Sequence, residues 1–144
     1  MTTKTRGMIL FVLLLFFLPF TCGCSEKAAT VSGKVTLNGK PLANYKVHFE
    51  PMNVKDSLRK SAQGITNEKG EYTLTSVLGN KPGCPVGTCH VRFAWVDPEP
   101  PKMSGSEIIY NPPYKLPVSC EDGSMTFTVP VSGTTDANFD LKSK

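Results

Sequence analysis

Glycine and proline interrupt this chain so often that a long helix has little room to form. The 144 residues include 12 glycines and 12 prolines, and both residue types destabilise the interior of a helix. Six of the prolines fall between residues 97 and 117, which excludes a helix or a central strand over most of that segment. The chain is therefore expected to consist of short strands and turns.

Alternation of apolar and polar residues indicates where the strands lie. Residues 31–37 alternate and lead directly into Asn38-Gly39, a dipeptide that is typical of tight hairpin turns. The predicted strands are residues 31–37, 45–49, 61–66, 71–75, 90–96, 124–129 and 138–142. Seven short strands with one apolar face each predict an all-β fold, an antiparallel seven-stranded β-sandwich.

The first 23 residues have the pattern of an export signal. Lys4 and Arg6 precede an apolar run over residues 8–20. As a helix this run would span roughly 20 Å, less than the hydrocarbon core of a bilayer at about 30 Å. A cleaved signal segment is predicted, with an uncleaved N-terminal anchor as the alternative. Cleavage would remove two of the 16 basic residues and none of the 12 acidic ones. The net charge would fall from +4 to +2, which does not suggest a nucleic-acid partner.

The residues after the apolar run, Thr21-Cys22-Gly23-Cys24-Ser25, resemble a bacterial lipoprotein signal. In such signals a small residue precedes a cysteine that is lipidated and becomes the new N-terminus. Cys24 fits better than Cys22 because Gly23 directly precedes it, and several acyl chains on one cysteine give a stable membrane anchor. An ordinary signal peptide with two free or paired cysteines is the alternative. The predicted organisation is a signal peptide over 1–23, a tether over 24–30 and a domain over 31–144.

Several short motifs follow one another in the predicted domain. They are VSGKVTLNGKPL (31–42), YKVHF (45–49), GITNEKGEYTL (64–74), PVGTCHV (85–91), IYNPPY (109–114) and NFDL (138–141). In this order they resemble the carboxypeptidase regulatory-like domain of small bacterial envelope lipoproteins. Cys89 stands where that family usually has an aromatic residue, and Asn67 where it commonly has aspartate. The resemblance implies a transthyretin-like (prealbumin-like, immunoglobulin-like) sandwich without catalytic activity or cofactor.

Three cysteines lie inside the predicted domain. Cys84 and Cys89 enclose four residues, so that a loop disulfide is possible if their Cα atoms come within about 7 Å, and export favours oxidation. A bridge that involves Cys120, or three reduced thiols, are the alternatives. A metal site made of these cysteines and His90 is disfavoured because the spacing is unlike that of zinc knuckles. We therefore expect a Cys84–Cys89 bridge and no metal.

Candidate catalytic residues are few. His48 and His90 fall on outward positions of predicted strands, where they either cluster with Arg92 or Glu50 or remain solvated. Cys89 and His90 are neighbours and should face opposite sides of a strand, so that they do not form a nucleophile–base pair. No nucleophile elbow, metalloprotease or phosphate-loop motif is present. An enzyme is not expected.

Tyr110 and Tyr114 stand out in the proline-rich segment. Aromatic side chains on such a loop could bind a glycan or an extended peptide, or they could close one open end of the core. The expected protein is thus an exported, lipid-anchored accessory or interaction module of the cell envelope, on a periplasmic or outer membrane face. A carbohydrate- or peptide-binding module that uses Tyr110 and Tyr114 is the alternative. Its expected partners are the membrane and an envelope protein or glycan.

Overall fold

A computed structural model describes residues 28–98 and 112–143, together with the backbone of two short strands between them. The predicted all-β fold is confirmed. The strands are β1 (Ala28–Ala29), β2 (Ser32–Leu37), β3 (Lys40–Pro41), β4 (Tyr45–Pro51), β5 (Ala62–Ile65), β6 (Glu71–Thr73), β7 (Thr75–Ser76), β8 (Cys84–Pro85), β9 (Gly87–Trp95), β10 (Met103–Ser104), β11 (Glu107–Ile108), β12 (Thr126–Val129) and β13 (Phe139–Leu141). A 3-10 turn, Val118–Cys120, lies between β11 and β12. In this described part of the chain, no helix has the length and hydropathy needed to cross a bilayer.

The long strands form two main sheets. The larger sheet has the order β12-β9-β4-β5-β7, and every pairing in it is antiparallel. The smaller sheet has the order β13-β2-β3, and β6 also pairs with β2. The two-stranded pairs β1-β8 and β10-β11 are separate from both. The described residues therefore form a β-sandwich-like arrangement.

One pairing differs from the antiparallel expectation. Strand β13 runs parallel to β2, with Phe139 opposite Val35. The preceding strand β12 belongs to the larger sheet, so that the chain crosses to the smaller sheet through residues 130–138. It then follows the same direction as β2 from the Val31–Thr134 bridge onwards. A crossover of this kind permits parallel pairing, whereas a tight hairpin would not.

Each of the seven predicted segments contains strand residues, but residues 71–75 contribute to two strands. Leu74 lies between β6 and β7 and is fully buried, and its N–H donates to the carbonyl of Val31 at 2.9 Å. The next residue, Thr75, pairs instead with Gln63 of the larger sheet. The chain thus passes from one sheet to the other at Leu74. Because the two-residue strands have no alternation to detect, the predicted count of seven misses them.

The core lies between the inner faces of the sheets. The predicted inward residues of β4, namely Tyr45, Val47 and Phe49, are buried. Phe49 contacts Phe127 and Phe139 edge-to-face, with ring centroids 5.7 and 6.2 Å apart. Because Phe139 belongs to the smaller sheet and the other two rings to the larger one, these contacts stabilise the packing of one sheet on the other.

The two ends of the fold differ in what they carry. Strand β1 pairs with β8, with Ala28 opposite Pro85, beside the turns at residues 52–60, 77–81 and 130–133. We call this the N-terminal end. The far end carries the turns at residues 38–39 and 67–70 and the segment 112–116. Strand β9 spans from one end to the other, about 26 Å at roughly 3.3 Å per residue.

Candidate functional site

Tyr114 lies at the far end, on a segment that is attached to the larger sheet. The hydroxyl of Tyr45 donates a hydrogen bond to the backbone carbonyl of Tyr114 at 3.3 Å. Burial raises the pKa of Tyr45, so that the hydroxyl remains a protonated donor at neutral pH. Tyr114 itself is 55% exposed, whereas Leu116 from the same segment is buried. Leu116, and not the Tyr114 ring, is therefore the residue that packs on the core.

Two clefts open on either side of Tyr114. The larger has a volume of about 620 Å³, and its lining includes Phe93, Trp95 and Pro112. The smaller, of about 450 Å³, lies between the same segment and the hairpin that joins β2 to β3. Tyr114 and Lys115 line both. Aromatic faces next to charged groups suit the binding of a sugar ring or of an extended peptide. The second candidate, Tyr110, lies outside the described residues.

A charged cluster continues from the larger cleft along the outer face of the sheet. Arg92, which lines the cleft, donates from Nη1 to Oε2 of Glu50 at 3.0 Å. The other carboxylate oxygen of Glu50 accepts a hydrogen bond from the Ser57 hydroxyl at 2.7 Å. Strand register places His48 opposite Arg92 and His90 opposite Glu50. The clustering that the sequence left as one of two possibilities is present in the structure.

The turn at residues 122–124 packs against this cluster. Its carbonyl at Gly123 lies 2.6 Å from Nδ1 of His90. Gly123 has a φ of +77°, and a Cβ at this position would come within 2.9 Å of Nη2 of Arg92. A hydrogen bond from the Ser124 N–H is the main cause that lowers the pKa of Asp122, and the nearby Arg92 adds to it. Asp-Gly-Ser is a recognisable turn signal, but this turn is not among the candidate site residues that the sequence predicted.

The pKa of His48 is lowered, which favours its neutral form at pH 7. Burial lowers its pKa, and the positive charges of Lys46 and Arg92 lower it further, while the carboxylate of Glu50 acts in the opposite direction. A neutral imidazole beside the Arg92–Glu50 ion pair adds hydrogen-bonding capacity to the sheet face without adding charge.

The Cys84 and Cys89 thiols contact each other in the core. Both residues are fully buried and are free thiols in the structure. A hydrogen bond between the two side chains raises the pKa of Cys84 and lowers the pKa of Cys89, as expected when the Cys84 thiol donates to the Cys89 sulfur. The spacing argument for proximity thus agrees with the structure, while the disulfide between them stays a prediction.

The third thiol and the imidazole of the disfavoured metal site point elsewhere. The polar and charged groups that affect the pKa of Cys120 are Ser119, Glu121 and Asp122, and burial raises that pKa. His90 faces the outer side of β9, whereas its neighbour Cys89 faces the core. Among the residues that the structure describes, no three His, Cys, Asp or Glu side chains come together to hold a metal ion. Cys24 lies outside the described residues.

The lowered pKa of His48 gives a pH dependence of stability. Between the folded pKa and the unfolded value of about 6.5, only the unfolded chain binds the proton at His48. Above about pH 6.5, His48 therefore makes no pH-dependent contribution to the free energy of unfolding. As the pH falls below that value, its protonation in the unfolded chain lowers this free energy. We expect the free energy of unfolding of His48→Gln to fall less between about pH 7.5 and 5.5 than that of the wild type, measured by chemical denaturation. Parallel curves for the two proteins would contradict this assignment.

Thiol counting tests the predicted bridge. If a thiol–disulfide oxidant accepts two electrons and two protons from Cys84 and Cys89, the processed and denatured protein should contain one free thiol, at Cys120. Three free thiols before any reductant is added would show that the bridge is absent. A Cys120→Ser variant is the control, because it should have no free thiol if the pairing is Cys84–Cys89.

Comparison with known proteins does not assign this site. No protein family model, no curated protein and no solved structure matches the chain. The function therefore has to be argued from the motifs, the fold and the geometry at the two ends.

Proposed function

We propose that the protein is an exported, lipid-anchored accessory module of the cell envelope, without catalytic activity, which presents its far end to a partner. The observation that carries this proposal is the separation of the two ends. The described chain enters at β1 on the N-terminal end, while the clefts beside Tyr114 lie at the far end, about 26 Å away along β9. A domain that is anchored through residues just before β1 would present these clefts away from its anchor.

The finer identity proposed for the fold is a transthyretin-like sandwich of the carboxypeptidase regulatory-like type. Two glycines of the quoted motifs support it. Gly39 follows Asn38 in the turn between β2 and β3, with φ values of +79° and +53°. Gly70 has a φ of +76°, and a Cβ there would lie 2.3 Å from the carbonyl oxygen of Val35. The positive φ therefore favours glycine at both motif positions, and at Gly70 the lack of space for a Cβ also requires it.

The absence of catalysis is proposed from the arrangement of the reactive groups. The Cys89 sulfur, whose pKa the neighbouring Cys84 thiol lowers, is buried in the core, while the adjacent imidazole of His90 faces the opposite side of the strand. A substrate at the surface would reach only one of the two groups, whereas nucleophilic catalysis requires both within hydrogen-bonding reach.

The proposed anchor predicts a specific modification. The mature protein should begin at Cys24, with a thioether-linked diacylglycerol on the sulfur and an acyl chain on the amino group, and intact-mass analysis of membrane fractions should detect it. A Cys24→Ser variant should lose the modification and leave the membrane fraction, whereas Cys22→Ser, the matched control, should keep both. An unmodified mature N-terminus, or acylation that depends on Cys22, would overturn the assignment.

A ligand-binding role of the clefts is the second candidate, and the exposure of Tyr114 between them favours it. The aromatic surface of Trp95 and Tyr114 offers contact area, and Lys115 offers a charged group at the edge of both clefts. Sugars and proline-rich or extended peptides are the ligands whose faces match such a surface. This role is compatible with the accessory module, since the cleft would be what the module presents.

Screening the protein against glycan and peptide libraries tests the second candidate. For the tightest probe, we expect Tyr114→Ala to weaken binding roughly tenfold, as the loss of one aromatic contact of about 1.4 kcal/mol implies. Tyr110→Ala is the second variant, because Tyr110 belongs to the predicted pair. Ile65→Ala, at a similarly exposed residue outside both clefts, is the control. Equal affinities of Tyr114→Ala and Ile65→Ala, measured by titration calorimetry, would exclude the clefts as the binding site.

A further inference from the structure

Exposed apolar side chains concentrate at the N-terminal end. In the described part of the chain, seven large apolar residues are exposed, and four of them lie in the turns at this end. They are Leu58 (64% exposed), Val77 (39%), Leu78 (53%) and Val131 (67%). None of these turns contains the predicted binding residues. A concentration of exposed apolar groups on one side of a domain indicates an interaction surface.

Hydrogen bonds join two of these turns to each other and the third to the chain that follows β1. The N–H of Val77 donates to the carbonyl of Ser61 at 3.0 Å, and the Ser61 hydroxyl donates to the carbonyl of Leu58 at 2.6 Å. The turn at residues 52–60 is thereby joined to the turn at residues 77–81. The third turn, at residues 130–133, is joined to the chain directly after β1, because Thr134 donates to the carbonyl of Thr30 at 2.9 Å.

The same end is basic. The turns at residues 52–60 and 77–81 contain four cations, Lys55, Arg59, Lys60 and Lys81, and one carboxylate, Asp56. Their net charge is +3, whereas residues 24–144 as a whole have a net charge of +2, so that the rest of that chain has a charge of −1. Lys55, Arg59 and Lys81 are exposed. Apolar tips surrounded by cations match the interface of a membrane with anionic headgroups.

The distance along the chain from Cys24 to the first described strand determines what this end can reach. Four peptide steps separate Cys24 from Ala28, the first residue of β1, and they span at most about 14 Å when fully extended. Ala28 pairs with Pro85, and Pro85 lines a small cleft together with Lys60 of the turn at residues 52–60. An acyl anchor on Cys24 would therefore keep Ala28, and the turns beside it, close to the lipid surface, within about 14 Å for Ala28 itself.

We propose that the N-terminal end of the domain is a membrane-contacting surface for anionic lipid headgroups. The apolar side chains of Leu58, Leu78 and Val131 enter the interfacial region, and the exposed cations contact headgroup phosphates. This inference rests on the acylation of Cys24 proposed above, which supplies the proximity, but the contact itself is a property of the folded surface. This contact fixes the orientation of the domain on its anchor, with the far end directed away from the bilayer.

Hydrogen exchange on vesicles tests the contact with the full protein. The protein is reconstituted into vesicles of phosphatidylcholine alone, or of phosphatidylcholine mixed with phosphatidylglycerol, and backbone amide exchange is followed by mass spectrometry. We expect slower exchange at residues 55–60 and 77–81 on the anionic vesicles, reversed by high salt, and unchanged exchange at residues 112–116. Equal exchange of the two turns on both vesicle types, or equal protection of residues 112–116, would overturn the proposal.

Charge reversal separates a specific surface from a general charge effect. Arg59→Glu combined with Lys81→Glu removes two cations from the N-terminal end and adds two carboxylates. We expect the ratio of docked to undocked protein to fall at least about 25-fold, because the loss of each cation alone accounts for about fivefold. Lys40→Glu combined with Lys69→Glu is the matched control, since both residues are exposed at the far end and the change in net charge is the same. Equal loss of protection in the two double variants would contradict a surface at the N-terminal end.

The acylation of Cys24 and the contact of the turns with lipid are measured by independent experiments. Intact mass reports whether Cys24 is acylated, and exchange reports whether the turns contact lipid. An acylated protein whose turns are unprotected would retain the anchor and refute the membrane-contacting surface. A protein without acylation whose turns are still protected on anionic vesicles would refute the anchor and retain the surface.

Discussion

The pairing of β4 with β9 is the interaction on which the other features of the structure depend. Seven residue pairs join the two strands without a break, from Tyr45 opposite Trp95 to Pro51 opposite Cys89. Alternate side chains of the two strands enter the core. The others lie on the outer face of the larger sheet, where Glu50 and Arg92 form an ion pair. Because both strands run the full length of the domain, they also fix the separation between the clefts and the N-terminal end.

The strands in which apolar and polar residues alternate are the part of this arrangement that can be predicted from the sequence. Tyr45, Val47 and Phe49 alternate with polar residues, and a strand with one buried face is the only regular structure that satisfies the pattern. The parallel course of β13 does not follow from any local period, because it depends on where the chain crosses between sheets. The same holds for Leu74, whose burial divides one predicted strand between the two sheets.

The sequence indicates which types of residue form the candidate site, but it does not indicate how they are arranged in space. Proline density and two tyrosines indicate a loop that could bind or cap, but the backbone of Tyr114 is joined to the sheet by a hydrogen bond from a tyrosine about seventy residues earlier in the chain. Contacts of that sequence separation leave no periodic signal. The turn that packs on Arg92 is similar, since its Asp-Gly-Ser sequence predicts the turn and not the strand against which Gly123 packs.

Charge and apolar surface are distributed differently at the two ends of the domain, which neither the fold class nor the net charge of +4 suggests. Cations and apolar side chains gather beside β1, the first described strand, whereas aromatic surface lines the clefts at the opposite end. A domain tethered by a short segment alone could rotate freely about its anchor, so that its clefts would face the lipid for part of the time. The proposed contacts between the N-terminal end and the headgroups would remove that freedom, because the paired strands β4 and β9 connect that end to the clefts. A domain oriented in this way would offer its clefts at a nearly fixed height above the membrane, which would raise their effective concentration for a partner held at the same height.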